Sequence, residues 1–129
     1  MIHSMEEEKD HLSWTSSRIR SLGGRLSYLN PLWFTGSFAL GLTAALWSDN
    51  LNYAFVEETE KQVGNHLQDQ IDQIYQYDKR SRAILDTMMK DELSHAEKAK
   101  SLGEIELPSM IKSGMSVMAL MMKKVAYYV

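Results

Sequence analysis

The stretch "DELSHAEKA", residues 91–99, has the period of an amphipathic helix, but it places charged side chains where apolar ones belong. With steps of three and four residues, one face of this helix carries Leu85, Met88, Glu92, His95, Ala99 and Leu102. Such a face normally packs against other helices. Because a buried and unpaired carboxylate is costly, Glu92 needs a proton, a partner or a metal ion.

The same pattern occurs on two other predicted helices. The face of the helix predicted for 2–22 carries Met1, Met5, Glu8, Leu12, Thr15, Ile19 and Leu22. The face of the helix predicted for 51–77 carries Val56, Glu60, Val63, Leu67, Ile71 or Gln70, and Ile74. On two of the three helices a histidine follows the glutamate after three residues, at His11 and His95. A single glutamate on such a face more often indicates a face assigned one position off, but the repetition favours a shared site.

The chemistry of these residues indicates a metal site. Glu and His spaced three apart share one helix face, so both can reach one ion. Oxygen and imidazole ligands without thiolate favour iron or manganese over softer metals. Two Glu-x-x-His pairs and a further Glu make three quarters of a carboxylate-bridged di-metal bundle. A fourth carboxylate would balance two ferrous ions, and the ligand order predicts it upstream of Met1, so we expect the domain to be N-terminally incomplete.

The composition sets limits on the class of protein. The chain has 129 residues, of which 44% are hydrophobic and 24% charged, and this predicts a single globular domain spanning 1–129. The absence of cysteine excludes disulfides and thiolate metal sites. A net charge of −3 argues against a broad nucleic-acid surface, so no nucleic-acid partner is expected. Glu6 and Glu7 belong to the charge run "EEEKD" and are interpreted as a solvated face.

Helical periods and punctuation predict five helices and an all-α fold. The first ends at Gly23-Gly24, which is a helix-ending pair. Asn30 is a good N-cap for the second, and Asp78 can cap the fourth. The predicted ranges are 2–22, 30–47, 51–77 capped within 48–50, 78–103, and 108–128 with Pro108 in its first turn.

Four motifs give the chain a family resemblance. They are "EEEKDHL" (6–12), "NPLWFTGSFALG" (30–41), "EKQVGNHLQDQI" (60–71) and "DELSHAEKA" (91–99). In these motifs the chain resembles the demethoxyubiquinone hydroxylases of ubiquinone biosynthesis, which are ferritin-like di-iron monooxygenases. The resemblance implies a ferritin-like helical bundle that lacks its first helix and has an apolar crossover helix and a C-terminal helix. The family's His-Ala-Gly-Glu motif is absent here.

The resemblance also implies site residues. Position by position, the iron ligands are Glu8, His11, Glu60, Glu92 and His95. Glu8 and Glu92 would bridge the two irons, and His66 matches a histidine close to the site. Many family members have a tyrosine directly after that histidine, but this chain has Leu67, so no role of the tyrosine carries over.

The implied activity is hydroxylation of the ring of a demethoxyubiquinone intermediate by O₂. The implied cofactors are two iron ions, with NADH as the electron donor and the quinone ring as mediator. The expected partners are a polyprenyl quinone, O₂, and a homo-oligomer or a complex of ubiquinone biosynthesis. Because one ligand helix is expected to be absent, we expect this chain alone to bind iron weakly and to have little hydroxylase activity.

Two apolar stretches suggest a membrane surface. The stretch 31–47 is shorter than the ~20 residues that a transmembrane helix needs. Its Trp33, Phe34 and Phe38 are interpreted as contacts for the polyprenyl tail or the membrane interface, and core packing is the alternative. The second stretch, 115–122, allows the same two readings. The expected location is peripheral, at the cytoplasmic face of a bacterial inner membrane.

Two other functions use the same residues differently. A ferritin-like iron-oxidising or storage protein would have the same ligands, and it would take up iron in large excess of two ions per chain. A non-catalytic helical module that binds lipid or a partner would leave Glu8, Glu60 and Glu92 solvated and would carry no stoichiometric metal. A metal assay separates these alternatives.

Overall fold

The computed structural model describes residues 2–74 and 76–129. Within these residues it contains five helices and no strand, so the predicted all-α fold is confirmed. The helices are α1 (Ile2–Ser21), α2 (Asn30–Trp47), α3 (Asp49–Gln73), α4 (Lys79–Leu102) and α5 (Ser109–Tyr128). Met1 and Tyr75, which the predicted helix ranges and faces included, lie outside the described residues.

Helix α1 ends as its sequence predicts. Gly23 adopts a φ of +77°, which is the left-handed region that glycine enters without a Cβ clash. The Gly24 N–H donates to the carbonyl of Ile19 at 2.9 Å, and the Gly23 N–H donates to that of Arg20 at 3.0 Å. These two bonds form a Schellman motif, which satisfies the last carbonyls of the helix.

Two other predicted caps are confirmed and one is wrong. The Ser48 hydroxyl accepts the N–H of Leu51 at 3.1 Å, and the Asp78 carboxylate accepts the N–H of Ser81 at 3.0 Å. Asn30 is not a cap, because it lies inside α2 and its side chain makes no capping bond. The proline that follows it has no N–H, so the first turn of α2 has fewer donors to satisfy.

The remaining helix ends shift by a few residues. Helix α3 ends at Gln73, four positions before the predicted 77. Pro108 precedes α5 as its N-cap residue, whereas the sequence predicted it inside the first turn.

The helices divide into two compact units. One comprises Met1–Leu26 and Glu60–His95, and the other comprises Ser27–Thr59 and Ala96–Val129. The first unit therefore contains α1, the later part of α3 and most of α4. The second contains α2, the start of α3, the end of α4 and α5.

The apolar core of the first unit lies between α3 and α4. Leu67, Ile71 and Leu85 are buried there, with partly buried neighbours at Val63, Ile74, Met88 and Met89. The predicted faces of these two segments are thus confirmed, with Ile71 as the inward residue in place of the exposed Gln70. This core supports the neighbouring turns that carry Glu60 and Glu92.

Helix α1 packs antiparallel to α4 through polar pairs. Arg18 donates to Asp78 and to Ser81, each at 2.8 Å, whereas His11 lies 2.9 Å from Asp91. The inward face of α1 therefore runs one position earlier than predicted. Leu12, which the sequence placed inward, is 66% exposed. The prediction failed because hydrogen bonds and ion pairs define this face, so hydrophobic periodicity does not mark it.

The second unit has small residues where α3 and α4 approach. Ala54, Ala96 and Ala99 are buried, and a Cβ added at Gly103 would lie 3.1 Å from the Tyr53 Cβ. Helices α2 and α5 have no buried residue, and Leu102 at the end of α4 is exposed although it was predicted inward. None of the described helices combines the length and apolarity needed to cross a membrane.

Candidate metal centre

Three helices of the first unit bring four predicted ligands together. Helix α1 supplies Glu8, α3 supplies Glu60, and α4 supplies Glu92 and His95. One ligand atom from each residue lies within 4.8 Å of those from the other three. The grouping confirms that the three glutamates on separate helix faces share one place.

The fifth predicted ligand, His11, faces the same cluster. Its Nδ1 lies 3.4 Å from Glu92 Oε1, and its side chain is 4% exposed. This nitrogen is buried and has no hydrogen-bond partner. An orphaned buried nitrogen is rare in folded proteins, and here it points at a carboxylate cluster. A metal ion at this place would give it a partner, which is the observation that best tests the fit.

Each of the two predicted ligand histidines is held by an acid from the opposite helix. His11 Nε2 lies 2.9 Å from the Asp91 carboxylate, and His95 Nε2 lies 2.9 Å from that of Glu7. When Nε2–H donates to the carboxylate, Nδ1 carries the lone pair. In both rings this arrangement leaves Nδ1 toward the glutamates, at 3.4 Å for His11–Glu92 and 3.8 Å for His95–Glu8. Metal-ligating histidines are oriented in this way.

The sequence prediction missed these two acids. Glu7 was interpreted as solvated, but its side chain is 27% exposed and lies between His95 and His3, the latter at 3.3 Å. A signal was present, because "EEKDH" (7–11) and "DELSH" (91–95) share the order acid, Glu, two residues, His. Antiparallel packing crosses the two motifs, so the first acid of each meets the histidine of the other.

The three carboxylates are destabilised as charged groups when no cation is bound. Burial, and then the hydrogen bond and negative charge of Glu60, raise the pKa of Glu92 to about 8. Burial also raises the pKa of Glu60, and burial followed by repulsion from Glu92 raises that of Glu8. Among the described residues, no Lys or Arg pairs with these three groups. The cluster therefore lacks positive charge, which a metal ion would supply.

The donor set fits a metal such as iron. It consists of three carboxylates and two imidazole nitrogens, without sulfur. The cluster is buried at Glu92 and His95, whereas the Glu8 side chain is 49% exposed. The cluster is therefore in contact with solvent at Glu8.

The other predicted site residues are not among the four residues grouped here, and their predicted roles are untested. His66 is half-buried on α3, with its Nε2 3.2 Å from Gln70 Nε2, and its proximity to the metal remains a prediction. In the second unit, Phe34 and Phe38 are 73% and 64% exposed, and their rings stack at 6.5 Å. Trp33 is half-buried, and its indole N–H has no hydrogen-bond partner. In the described structure these aromatic residues do not form a buried core.

The raised pKa values predict how the metal-free protein responds to pH. The folded protein holds a proton on Glu92 up to about pH 8, whereas the unfolded chain releases it near 4.5. Between these values the folded state binds more protons, so its stability falls as pH rises. We expect the melting temperature of the metal-free protein to decrease across this range. Glu92→Gln, which resembles the protonated side chain, should flatten the decrease.

Thermal melts in a chelating buffer at several pH values test this expectation. Adding metal should reverse the trend, because the ion competes with protons for Glu92 and binds more tightly as pH rises. A melting temperature that rises with pH in the metal-free protein, or a slope that Glu92→Gln leaves unchanged, would contradict the assignment.

Comparison with known proteins agrees with this geometry. The family described as "Ubiquinone biosynthesis protein COQ7" matches residues 1–126. The chain is 50% identical over 124 residues to a 3-demethoxyubiquinol 3-hydroxylase of Chromobacterium violaceum, covering 96% of this chain and 60% of the relative. It is also 50% identical over 122 residues to the protein of that name in Dechloromonas aromatica, covering 95% and 59%. The chain is 46% identical over 124 residues to the protein of that name in Coxiella burnetii, and the match covers 96% of this chain and 58% of the relative.

The matches cover nearly all of this chain but only part of each relative. The chain spans about 60% of the length of the curated relatives that it matches. A search of solved structures found no match for the chain.

Proposed function

The chain belongs to the ubiquinone biosynthesis protein COQ7 family, and from this membership we propose that it works as a di-iron monooxygenase that hydroxylates the ring of demethoxyubiquinol. The reduced ring is chosen because the similar proteins are named for the quinol. The observation that carries the proposal is the group of five ligands, in which a buried His11 nitrogen without a partner faces three carboxylates. A binding module without metal has no use for this arrangement.

In this proposal the residues of the chain would have the following roles. Glu8, Glu60, Glu92, His11 and His95 would hold a pair of iron ions. When bound, the metals supply the redox chemistry that activates O₂. Asp91 and Glu7 keep the two imidazoles in the tautomer that presents Nδ1 to the cluster. The partly exposed Glu8 marks the side from which the quinol ring and O₂ approach.

The electron source is part of the proposal. We propose that NADH supplies the electrons and that the quinone ring carries them to the metals. The chain contains no cysteine, so it has no thiol pair that could relay electrons. A mediator that is itself the substrate removes the need for such a relay.

We also propose that the protein works at a membrane surface, on the cytoplasmic face of a bacterial inner membrane. Helices α2 and α5 have no buried residue although both are apolar. Phe34, Trp47 and Met110 are 73%, 84% and 84% exposed, and the substrate of this family carries a polyprenyl tail. The named relatives are bacterial. The alternative is that a second copy of the chain, or another protein of ubiquinone biosynthesis, packs against these two helices.

Iron stoichiometry is the decisive experiment for the function. An intact protein that contains this chain, loaded anaerobically with ferrous iron, should retain two ions per chain after desalting and should support NADH-dependent hydroxylation of a demethoxyubiquinol analogue, whereas residues 1–129 alone should bind iron more weakly. Uptake far beyond two ions would favour the storage alternative. The absence of retained iron would favour a non-catalytic module and overturn the proposal.

The membrane part has its own test. Replacing both Trp33 and Phe38 with serine should weaken sedimentation with lipid vesicles by more than it lowers helicity measured by circular dichroism. The reason is that Phe38 is 64% exposed, so its loss removes little packing. Loss of helicity in proportion to vesicle binding would show instead that these residues stabilise the fold.

A further inference from the structure

One end of the first unit concentrates positive charge. Because Arg18 contacts both Asp78 and Ser81, the last turn of α1 lies against the first turn of α4. The two helix ends that meet here carry five cations, which we call the basic end: Arg18, Arg20, Lys79, Arg80 and Arg82. Residues 12–22 of the first helix end contain no acid, and residues 78–85 of the second contain only Asp78.

Most of this charge is not neutralised within the protein. Arg18 is paired with Asp78 at 2.8 Å, and Arg82 lies 3.9 Å from Asp86. Arg20, Lys79 and Arg80 are exposed and form no ion pair with any part of the chain that the structure describes. Three free cations therefore face solvent at the end of α1 and α4 away from the glutamate cluster.

The placement of these cations is unfavourable for the helix itself. The N-terminus of a helix carries a partial positive charge, so acidic residues are preferred in its first turn. Helix α4 has no acidic residue in its first turn and begins instead with Lys79 and Arg80. Local helix stability does not account for these residues, and an anionic partner would.

A cavity adjoins the basic end. It has a volume of about 370 Å³ and is lined by Trp14, Arg18, Arg80, Ile84 and Thr87, among others. The wall thus combines a guanidinium without a partner, a hydroxyl and a half-buried indole ring. Tryptophan and arginine together are typical of the interface between water and lipid headgroups.

We propose that the basic end binds the anionic headgroups of a membrane surface. The chain continues from it through Arg25 to α2, an apolar helix without a buried residue that starts at Asn30. A cluster of basic residues directly before an apolar segment is typical of peripheral membrane proteins, which combine electrostatic attraction with apolar insertion. The inference rests on the proposed function only in that a quinone with a polyprenyl tail lies in the membrane.

The test is sedimentation of the metal-loaded protein with vesicles of phosphatidylcholine alone or mixed with phosphatidylglycerol. The variant carries Arg20→Glu, Lys79→Glu and Arg80→Glu. The control carries Lys90→Glu, Lys98→Glu and Lys100→Glu, which are exposed positions on α4 with the same change of net charge. The variant should partition onto the mixed vesicles at least about a hundredfold more weakly, because each cation near an anionic surface is worth roughly fivefold.

Four further results are expected. The loss of binding to mixed vesicles should be less than about a tenth as large in the control as in the variant, because the control's residues lie outside the basic end. Neutral vesicles should bind the variant and the parent protein equally. About 1 M salt should remove the difference on mixed vesicles, since the screening length is then about 3 Å. Iron content, measured on the same samples, should be the same in the variant and the parent.

The proposal fails if the variant and the control lose binding equally, because net charge alone would then act. It also fails if anionic and neutral vesicles bind the parent alike, or if millimolar pyrophosphate displaces the parent from the mixed vesicles, which would assign the basic end to a free phosphate compound. Iron retention and hydroxylation are measured separately. Their failure would overturn the proposed function without changing the vesicle result.

Discussion

Replacing Glu92 with alanine should abolish stoichiometric iron binding while leaving the protein folded. Glu92 is 4% exposed and lies beside His11 and Glu60, so its loss removes a ligand shared by both sides of the cluster. Its pKa of about 8 shows that the charged form is disfavoured when no metal is bound. The substitution therefore removes a group that opposes folding of the metal-free protein at alkaline pH. Iron analysis after desalting measures the loss.

Leu85→Ala is the matched control for this prediction. Leu85 is 9% exposed on the same helix and belongs to the apolar core of the first unit. Its truncation should cost about 2–5 kcal/mol by leaving a cavity, but the folded fraction should keep its iron stoichiometry. Equal loss of iron in the folded fractions of both variants would show that iron binding reports only the integrity of the core, and the ligand assignment would be wrong.

Replacing Asp91 with asparagine and Glu7 with glutamine should have the second largest effect. Each substitution keeps the size of the side chain and removes the charge that accepts a hydrogen bond from His11 or His95. Changes of this kind typically cost about 10–100-fold in metal affinity, so each variant should weaken binding by that factor. Competition with a coloured chelator measures the affinity without any need for turnover.

Neighbouring acids provide controls for these substitutions. Glu6 is exposed next to Glu7, and Asp86 is 41% exposed one turn and a half before Asp91. Glu6→Gln and Asp86→Asn change the net charge equally but contact neither histidine, so they should leave metal affinity unchanged. If all four variants lost affinity alike, long-range charge would explain the result, and the specific role of Asp91 and Glu7 would be excluded.

The acid of each motif pairs with the histidine of the other motif. Each motif begins with an acid, continues with a glutamate of the cluster and ends with a histidine. In neither motif does the first acid form its hydrogen bond with the histidine of the same motif. The acids and histidines that pair are separated by 80 and 88 residues along the chain. The antiparallel packing of α1 on α4 makes the exchange reciprocal, so a slip of this pair by one turn would break both contacts.

Features that depend on neighbours within one helical turn could be predicted from the sequence. The five helices, the stop at Gly23-Gly24 and the cap at Asp78 follow from hydrogen bonds between residues three to five apart. The Glu-x-x-His spacing is local in the same sense, because residues three apart share a face wherever the helix packs. For this reason the sequence predicts five candidate ligands, of which Glu8, Glu60, Glu92 and His95 are grouped in the structure.

Features that depend on contacts between helices were decided by the tertiary structure. The inward face of α1 was predicted one position off, since His11 and Arg18 turn toward α4 to meet Asp91 and Asp78, while Leu12 remains exposed. Glu7 was interpreted as solvated, although His95 binds it. Hydrophobic periodicity reports which side chains avoid water. It does not report which polar side chains find a partner, because that partner is placed by packing across distances of 60 to 88 residues in the chain.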